Sequence, residues 1–496
     1  MKLIRKNGML GIDKTEIDEL IATKEFVGLN RSPRAEKVIV SLTSYKPRIN
    51  DVKYAIYSLL NQTFPPDKLI LWLDEDSFPQ REENLPQDLL ELRNFGLTID
   101  WSENLRPYTK LIPALEKYPD DIIVTADDDI FYRADWLKIL YDEHLNSPDC
   151  VIAHRAHGIR LDAQGNIFPY TAWHSEIKTL ITPPRHYKNF LTGVGGVLYK
   201  KKFFHGDILK REIFMEVSPT NDDIWFWAMA VLNDTPIKIP AAAQSNLIYV
   251  DIDAQLGEET LSSKNVGHGR NDIQLKQVIE HYPALLEKLI RESTEFKPYI
   301  SIVMPIKNSA NVAACLKNIF GLNFPDFELI IINLGSQFKL PTLPTNFRVI
   351  NCPGGTVNDA LNLGLQKSTG EYVLFKDETS TLPRDALEVV AQIADSSKAD
   401  VIHFAGRVQL NGKLILDDKI QYNNQPTFLD ASRQRRAVMW LQNILSKRLD
   451  TKIFRRDFLT EHKLTFGNDL SEFMFRALIQ AEKYLLLPRA FGFYKE

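Results

Sequence analysis

Cysteine is scarce. Cys150, Cys315 and Cys352 are the three in 496 residues, and they lie too far apart to form a metal or disulfide spacing. A reducing, cytoplasmic setting is the simplest expectation. Basic charge is not in excess: 60 Lys and Arg face 64 Asp and Glu, for a net charge of −4. That leaves no electrostatic footprint for a nucleic-acid partner. Long hydrophobic runs are absent too, since no stretch approaches the roughly 20 apolar residues that cross a bilayer. The opening MKLIRKNGML turns polar and acidic from Asp13 to Glu19, where a secretory signal would continue as an apolar core. Peripheral attachment at an inner membrane face is compatible with all of this.

Core material, by contrast, is ample. A content of 44% hydrophobic and 25% charged residues is that of a soluble globular protein. The length exceeds what one hydrophobic core usually serves, so two or three domains are expected.

Residues 1–36 read as a short helical lead with a polar tether. KVIVSLTSY, from Lys37, is a β-branched run ending in a polar turn; Asp51 to Gln62 reads as an amphipathic helix, and KLILWL follows as a strand ending at Asp74. Strand, helix and strand with short connections imply a doubly wound, mostly parallel α/β sheet of Rossmann-like type. Ligands of such sheets bind beyond the strands' carboxyl ends, where the Thr43–Arg48 turn and Asp74 fall. A further strand, IIVTADDDIFY from Ile122, ends in Asp127, Asp128 and Asp129. Adjacent carboxylates repel one another, so a bound cation is one reason to keep them; a solvated turn or helix cap is the other.

The chain repeats itself. SLTSYKPRINDVKYAIYSLLNQTFPPDKLILWL from Ser41 aligns without a gap on SIVMPIKNSANVAACLKNIFGLNFPDFELIIIN from Ser301, an offset of 301 − 41 = 260. IIVTAD, ending at Asp127, aligns on YVLFKD, ending at Asp377, an offset of 377 − 127 = 250. The expected organisation is therefore a lead (1–36), a first α/β domain (37–255), a helical linker (256–297) and a second copy (298–496).

The motifs YISIVMPIKNS, FPDFELIIIN and TGEYVLFKDETS resemble the family 2 glycosyltransferases, which have the GT-A nucleotide-sugar fold. VSLTSYKPR, QTFPPDKLILWLDE and VTADDDI resemble bacterial GT-A enzymes of surface-polysaccharide assembly, such as capsule or lipopolysaccharide. The resemblance implies two tandem GT-A domains and makes the acidic triplet a DxD motif. Asp129 would then bind Mn²⁺ or Mg²⁺, and Asp127 the metal or the ribose, with Asp128 beside the donor. It also puts Thr43, Ser44 and Tyr45 over the nucleoside, Asp74 on the base, and Lys110 near a phosphate or the base.

An inverting transferase needs a carboxylate to take the acceptor hydroxyl's proton. SPTNDDIWFWAMA resembles the family's base motif, so Asp222 is the first candidate and Asp223 the second; simple capping of a helix is the bland alternative. Gly195 and Gly196, with Gly193, resemble an acceptor-side loop. Trp173 and His174 are candidate sugar contacts, although core burial is the commoner fate of a Trp. His154 and His157 read as structural. His268, in NVGHGRND, is a candidate late metal or phosphate ligand.

The second copy departs where it matters. Leu334 stands opposite Asp74 and Thr379 opposite Asp129, while FGNDLSEFMF offers Asp469 or Glu472 as an imperfect base motif. A degenerate second domain serving packing, homo-oligomerisation or acceptor binding is expected. The whole implies a metal-dependent inverting glycosyltransferase moving a sugar from a UDP-sugar to a hydroxyl of a glycan or lipid-linked acceptor. The rivals are a bifunctional polysaccharide synthase with both domains active and a non-catalytic glycan-binding protein.

Overall fold

The structure is a computed structural model. It describes residues 2–495 except 163, 176, 178–185, 245, 257–264, 266–268, 295–296, 308, 336–339, 411–412, 417–418, 421–424 and 431. Two compact units result: the first comprises Met1–Ile159 and Pro169–Glu292, the second Arg160–Phe168 and Ser293–Glu496.

Unit 1 is built on a seven-stranded sheet in the order Ile237–Lys238, Val151–Ala153, Val197–Tyr199, Ile122–Ala126, Val38–Thr43, Lys68–Asp74, Leu97–Ser102. The last four are parallel, and Val197–Tyr199 runs antiparallel to both its neighbours. Val40, Leu42, Leu69, Leu71 and Val124 are fully buried, which is why these strands read as unbroken apolar runs with no alternation. Parallel strands also put their carboxyl ends on one edge, so Thr43, Asp74 and Asp127 come to the same side.

The lead is not simply helical. Leu3–Lys6 and Met9–Ile12 form a hairpin before the helix Lys14–Ala22, and Met9–Ile12 also pairs with Ile248–Tyr249. The turn is Asn7-Gly8 with φ of 50° and 81°, the left-handed pair that a two-residue hairpin needs. The segment expected to be a linker carries the helices Arg270–His281 and Ala284–Thr294, and the contact division runs within the second of them, at Glu292. Arg160–Phe168, inside the range expected for the first domain, groups with unit 2.

Unit 2 contains a nine-stranded sheet. Its path begins Phe347–Asn351, Phe327–Asn333, Ile300–Ile306, Tyr372–Phe375, Lys452–Arg455, Val401–Leu410, Tyr484–Lys495. Read from the opposite edge, this is unit 1's order with the same directions: four parallel strands, two antiparallel pairings and a closing parallel pair. The α/β repeat expected from the sequence is thus present as two matching sheets.

Pairing also corrects the repeat's register. Lys68 and Glu328 are 260 apart and pair with Ile39 and Ser301, so the first strands match at 301 − 39 = 262 rather than 260. The fourth strands agree, since Ile123 pairs with Ile39 and Val373 with Ser301, and 373 − 123 = 250. The helices Val52–Leu60 and Val312–Phe320 return to 260, which places a two-residue gap in the intervening turn.

Candidate active site at the carboxyl edge of unit 1

Lys110 is the centre of the first charge cluster. It ends a short 3-10 turn, Arg106–Lys110, whose last carbonyl accepts a hydrogen bond from the Ser41 hydroxyl at 2.6 Å, so the turn is tied to the sheet. Its ammonium donates to Asp127 Oδ1 at 2.9 Å and lies 3.2 Å from Asp222 Oδ2. Burial alone would lower the Lys110 pKa, but the charges of Asp127, Asp222 and Asp223 outweigh it and hold the amine well above its usual range. The lysine is therefore a permanent cation, 7% exposed, among carboxylates.

Asp222 and Asp223 are the first two residues of the helix Asp222–Leu232, and the cap is Asn221, whose side chain accepts from Ile224 N–H. The bland reading of the acids as caps is thereby excluded; they sit in the first turn, inside the cap. Gly193 N–H donates to Asp223 Oδ1 at 2.9 Å. A Cβ at Gly193 would lie 2.9 Å from both that oxygen and Lys110 Nζ, so a side chain there would displace one of these charged groups. Burial and the neighbouring Asp222 charge raise the Asp223 carboxyl to about 8, and burial raises Asp222 as well. Asp222 is 6% exposed and its Oδ2 is out of hydrogen-bond alignment with any donor among the described residues, whereas Asp223 is partly exposed.

The second cluster belongs to the opening turn. Pro47 sets the 3-10 turn Lys46–Arg48, and Arg48 Nη1 lies 2.8 Å from Asp128 Oδ1 and 2.7 Å from Asp129 Oδ2. Ser44 Oγ donates to Asp128 Oδ2 at 2.6 Å, and Gln255 Nε2 donates to Asp129 Oδ2 at 2.6 Å. Burial and the Asp129 charge push Asp128 up to about 6 despite these partners. Asp127 belongs to the other cluster, its N–H donating to the Tyr132 phenol oxygen at 2.7 Å. The acidic triplet is therefore divided into Asp127 on one side and the pair Asp128 and Asp129 on the other, because the strand ends at Ala126 and the three acids lie in the turn that follows.

Other candidates are placed differently from expectation. Thr43 Oγ1 donates to Trp72 carbonyl at 2.9 Å, which ties it into the sheet. Tyr45 is half exposed, with the Arg48 guanidinium 5.6 Å from its ring. Asp74 accepts from Ser77 N–H at 2.8 Å, capping its own turn. Trp173 is buried against Tyr170 and Phe190, which leaves little ring to stack on a sugar, and His174 is buried beside it. Gly195 and Gly196 serve Trp136: its indole N–H donates to Gly195 carbonyl, and a Cβ on Gly196, at φ 94°, would meet its ring at 2.3 Å. Of this loop Gly193, not Gly195 or Gly196, touches the charged cluster. His154 is satisfied by Trp136 carbonyl and Gln244 N–H, and burial lowers it to about 4. His268 lies outside the described residues.

The expected metal set is not assembled: among the described residues no three His, Cys, Asp or Glu side chains converge as a cage. The cause is local, for Lys110 takes Asp127 while Arg48 and Gln255 take Asp129. Chemically the site still suits a hard cation. Five carboxyl groups gather beside two cations, which is the oxygen-donor chemistry that divalent ions seek, although Lys110 and Arg48 already pair with four of them.

In unit 2 the same places are filled otherwise. At offset 250, Lys110 falls on 110 + 250 = 360, the buried Ala360, and Asp129 on Thr379. Asp377 Oδ1 accepts from Thr379 N–H, Thr379 Oγ1 and Ser380 N–H, spending the retained acid on its own turn. Asp469 caps the helix Leu470–Gln480 as Asn221 caps its counterpart, which puts Leu470 and Ser471 where Asp222 and Asp223 stand.

Residues 301–462 match the family described as glycosyl transferase family 2. The second unit thus carries the family 2 glycosyltransferase match. Unit 1, with the same strand order, is its structural repeat. Among solved structures, S. aureus TarS 1–349 is similar at 19% identity with a TM-score of 0.34, over 40% of this chain and 60% of that one. The complex of TarS 1–349 with UDP-GlcNAc gives 19%, 0.34, 40% and 58%. The Pyrobaculum calidifontis mannosyltransferase PcManGT with GDP-Man and Mn²⁺ gives 16%, 0.29, 40% and 57%. The chain thus spans under two thirds of these proteins' lengths. No curated protein matches it. Among the described residues no helix is long and apolar enough to cross a membrane.

Arg48 and Gln255 were missed by sequence reasoning. The one signal for Arg48 is its place just after Pro47 in a turn at a strand's carboxyl end; Gln255 carries none.

Proposed function

We propose that unit 1 transfers a sugar from a nucleotide diphosphate, with UDP-sugars the first donors to test, to a hydroxyl of a glycan or lipid-linked acceptor in surface-polysaccharide assembly. The observation that carries this reading is the Lys110 cluster, which gathers Asp127 from the acidic strand and Asp222 and Asp223 from a helix start at one sheet edge. Tyr45 offers an open ring for the base, and Lys110 keeps Asp127 and Asp222 oriented. Asp223 takes the proton of the attacking hydroxyl with inversion at the anomeric carbon. It is preferred to Asp222 because it is partly exposed and its raised pKa makes it the better proton acceptor once ionised. A divalent cation held by Asp127 and Asp129 would neutralise the departing diphosphate.

Unit 2, lacking counterparts of Lys110, Asp129, Asp222 and Asp223, is proposed to be inactive and to serve packing, self-association or acceptor binding. The test is UDP release from UDP-sugars in Mn²⁺. Loss of turnover in Asp222→Asn with Asp223→Asn supports the assignment; unchanged turnover sinks it. Unchanged turnover in Asp127→Asn with Asp129→Asn would remove the metal from the proposal.

A further inference from the structure

The place between Asp128 and Asp129 is already taken by a cation of the chain. One nitrogen, Arg48 Nη1, stands 2.8 Å from an oxygen of the first and 2.7 Å from an oxygen of the second. Ser44 and Gln255 hold the same carboxylates at 2.6 Å each. Two carboxylates side by side need such a charge to be stable when desolvated. A divalent ion seeking Asp129 therefore meets a competitor, and two cations cannot share that oxygen without strong repulsion.

The arginine is not fully buried. Its side chain is 28% exposed, and it leaves a turn rather than a strand, on the face where Tyr45 is open. A planar guanidinium is also the side chain best matched to two phosphate oxygens. Unit 2 points the same way. Across the two-residue gap in this turn, the residues opposite Arg48 are Asn308 to Ala310, none of them basic, and there the partner acid Asp129 has become Thr379. Arginine and acid are absent together.

We propose that Arg48 is an exchangeable counter-ion: it neutralises Asp128 and Asp129 in the absence of donor, is displaced from Asp129 by a divalent cation, and then pairs with the donor's diphosphate. The inference rests on the nucleotide-diphosphate reading of unit 1 and names the residue that couples metal to donor. No bond is made or broken in the exchange.

The test uses the full chain and two titrations that need no turnover. Mn²⁺ alone is titrated by electron paramagnetic resonance into wild type, Arg48→Gln and Arg48→Lys; UDP is then titrated calorimetrically in saturating Mn²⁺. Removing the competitor should tighten Mn²⁺ binding in Arg48→Gln by about tenfold, while the same variant should bind UDP about tenfold more weakly, the scale of one charge-assisted contact. Arg48→Lys, which keeps the charge, should lie between on both axes. A merely structural arginine would weaken both or move only the melting temperature. Mn²⁺ affinity unchanged or lowered in Arg48→Gln overturns the exchange, as does undiminished UDP binding. If wild type binds Mn²⁺ but no UDP, the nucleotide reading fails, and the diphosphate half of the proposal with it.

Discussion

Units 1 and 2 carry the same seven strands in the same order and directions, yet they gather different charges at the carboxyl edge: Lys110 and Arg48 among five acids in unit 1, and Arg448 against Asp450 and Asp377 in unit 2. The family resemblance in sequence lies with unit 2, at residues 301–462, while the proposed chemistry lies with unit 1. Buried strands are constrained by packing and so preserve the family's pattern. The site is a handful of polar residues on turns and helix starts, which can be lost without disturbing the sheet. Asp377 illustrates this: it remains after its strand, but its carboxylate serves the turn that follows. Strand order therefore says where a site would be, and only the side chains say whether it is there.

The largest effect that could break this comparison should come from Lys110. Lys110→Met leaves the buried Asp222 and the partly buried Asp127 without their cation, and a loss of about 3–5 kcal/mol is expected in denaturant unfolding. Ala360, at the matching position, already lives without that charge; a Lys110→Met variant as stable as wild type would make the clusters of the two units equivalent.

Next come the helix-start acids. Asp222→Asn with Asp223→Asn should lower transfer by roughly 10²- to 10⁴-fold with UDP binding retained. Asp469→Ala should leave transfer untouched and cost about 1 kcal/mol as a lost cap. Should the Asp469 variant abolish transfer instead, unit 2 is active and the bifunctional reading returns.

The pH dependence sharpens the assignment within unit 1. If Asp223 is the base, turnover should climb as pH rises through about 8, and Asp223→Asn should flatten the profile. Stability should show the opposite trend. A carboxyl raised by folding holds its proton more tightly in the native state, so its favourable contribution is full below the unfolded value of about 4 and is lost as pH climbs to about 8. Asp223→Asn should therefore stabilise the protein more at pH 9 than at pH 5 in thermal melts.

The smallest effect concerns Gly196. Gly196→Ala combines a left-handed φ of 94° with a clash on Trp136, so about 1–3 kcal/mol of destabilisation is expected without loss of UDP binding. A selective loss of acceptor use with stability intact would restore that glycine to the acceptor loop.

Some features were legible and were overlooked. Asn7-Gly8 between two short apolar pairs is a hairpin signal, and reading the lead as helical passed over it. The gapless register of the first strand failed for a different reason. A slip of two residues keeps every side chain on its own face, and in a strand buried on both faces nothing polar marks the error. Pairing with Lys68 and Ile123 resolves it because hydrogen bonds count residues one by one.

By itself the sequence determined the α/β class, the internal repeat, the acidic strand end and the paired acids before an aromatic helix, because each is a local pattern of burial or charge along the chain. Only the tertiary structure decided which carboxylate meets which cation. Lys110 joins Asp127 to Asp222 across 17 and 112 residues, and Arg48 reaches Asp129 across 81, as their numbering gives by subtraction (127 − 110, 222 − 110, 129 − 48). Such partners are chosen by the sheet that brings strand ends together, and no spacing along the chain encodes them.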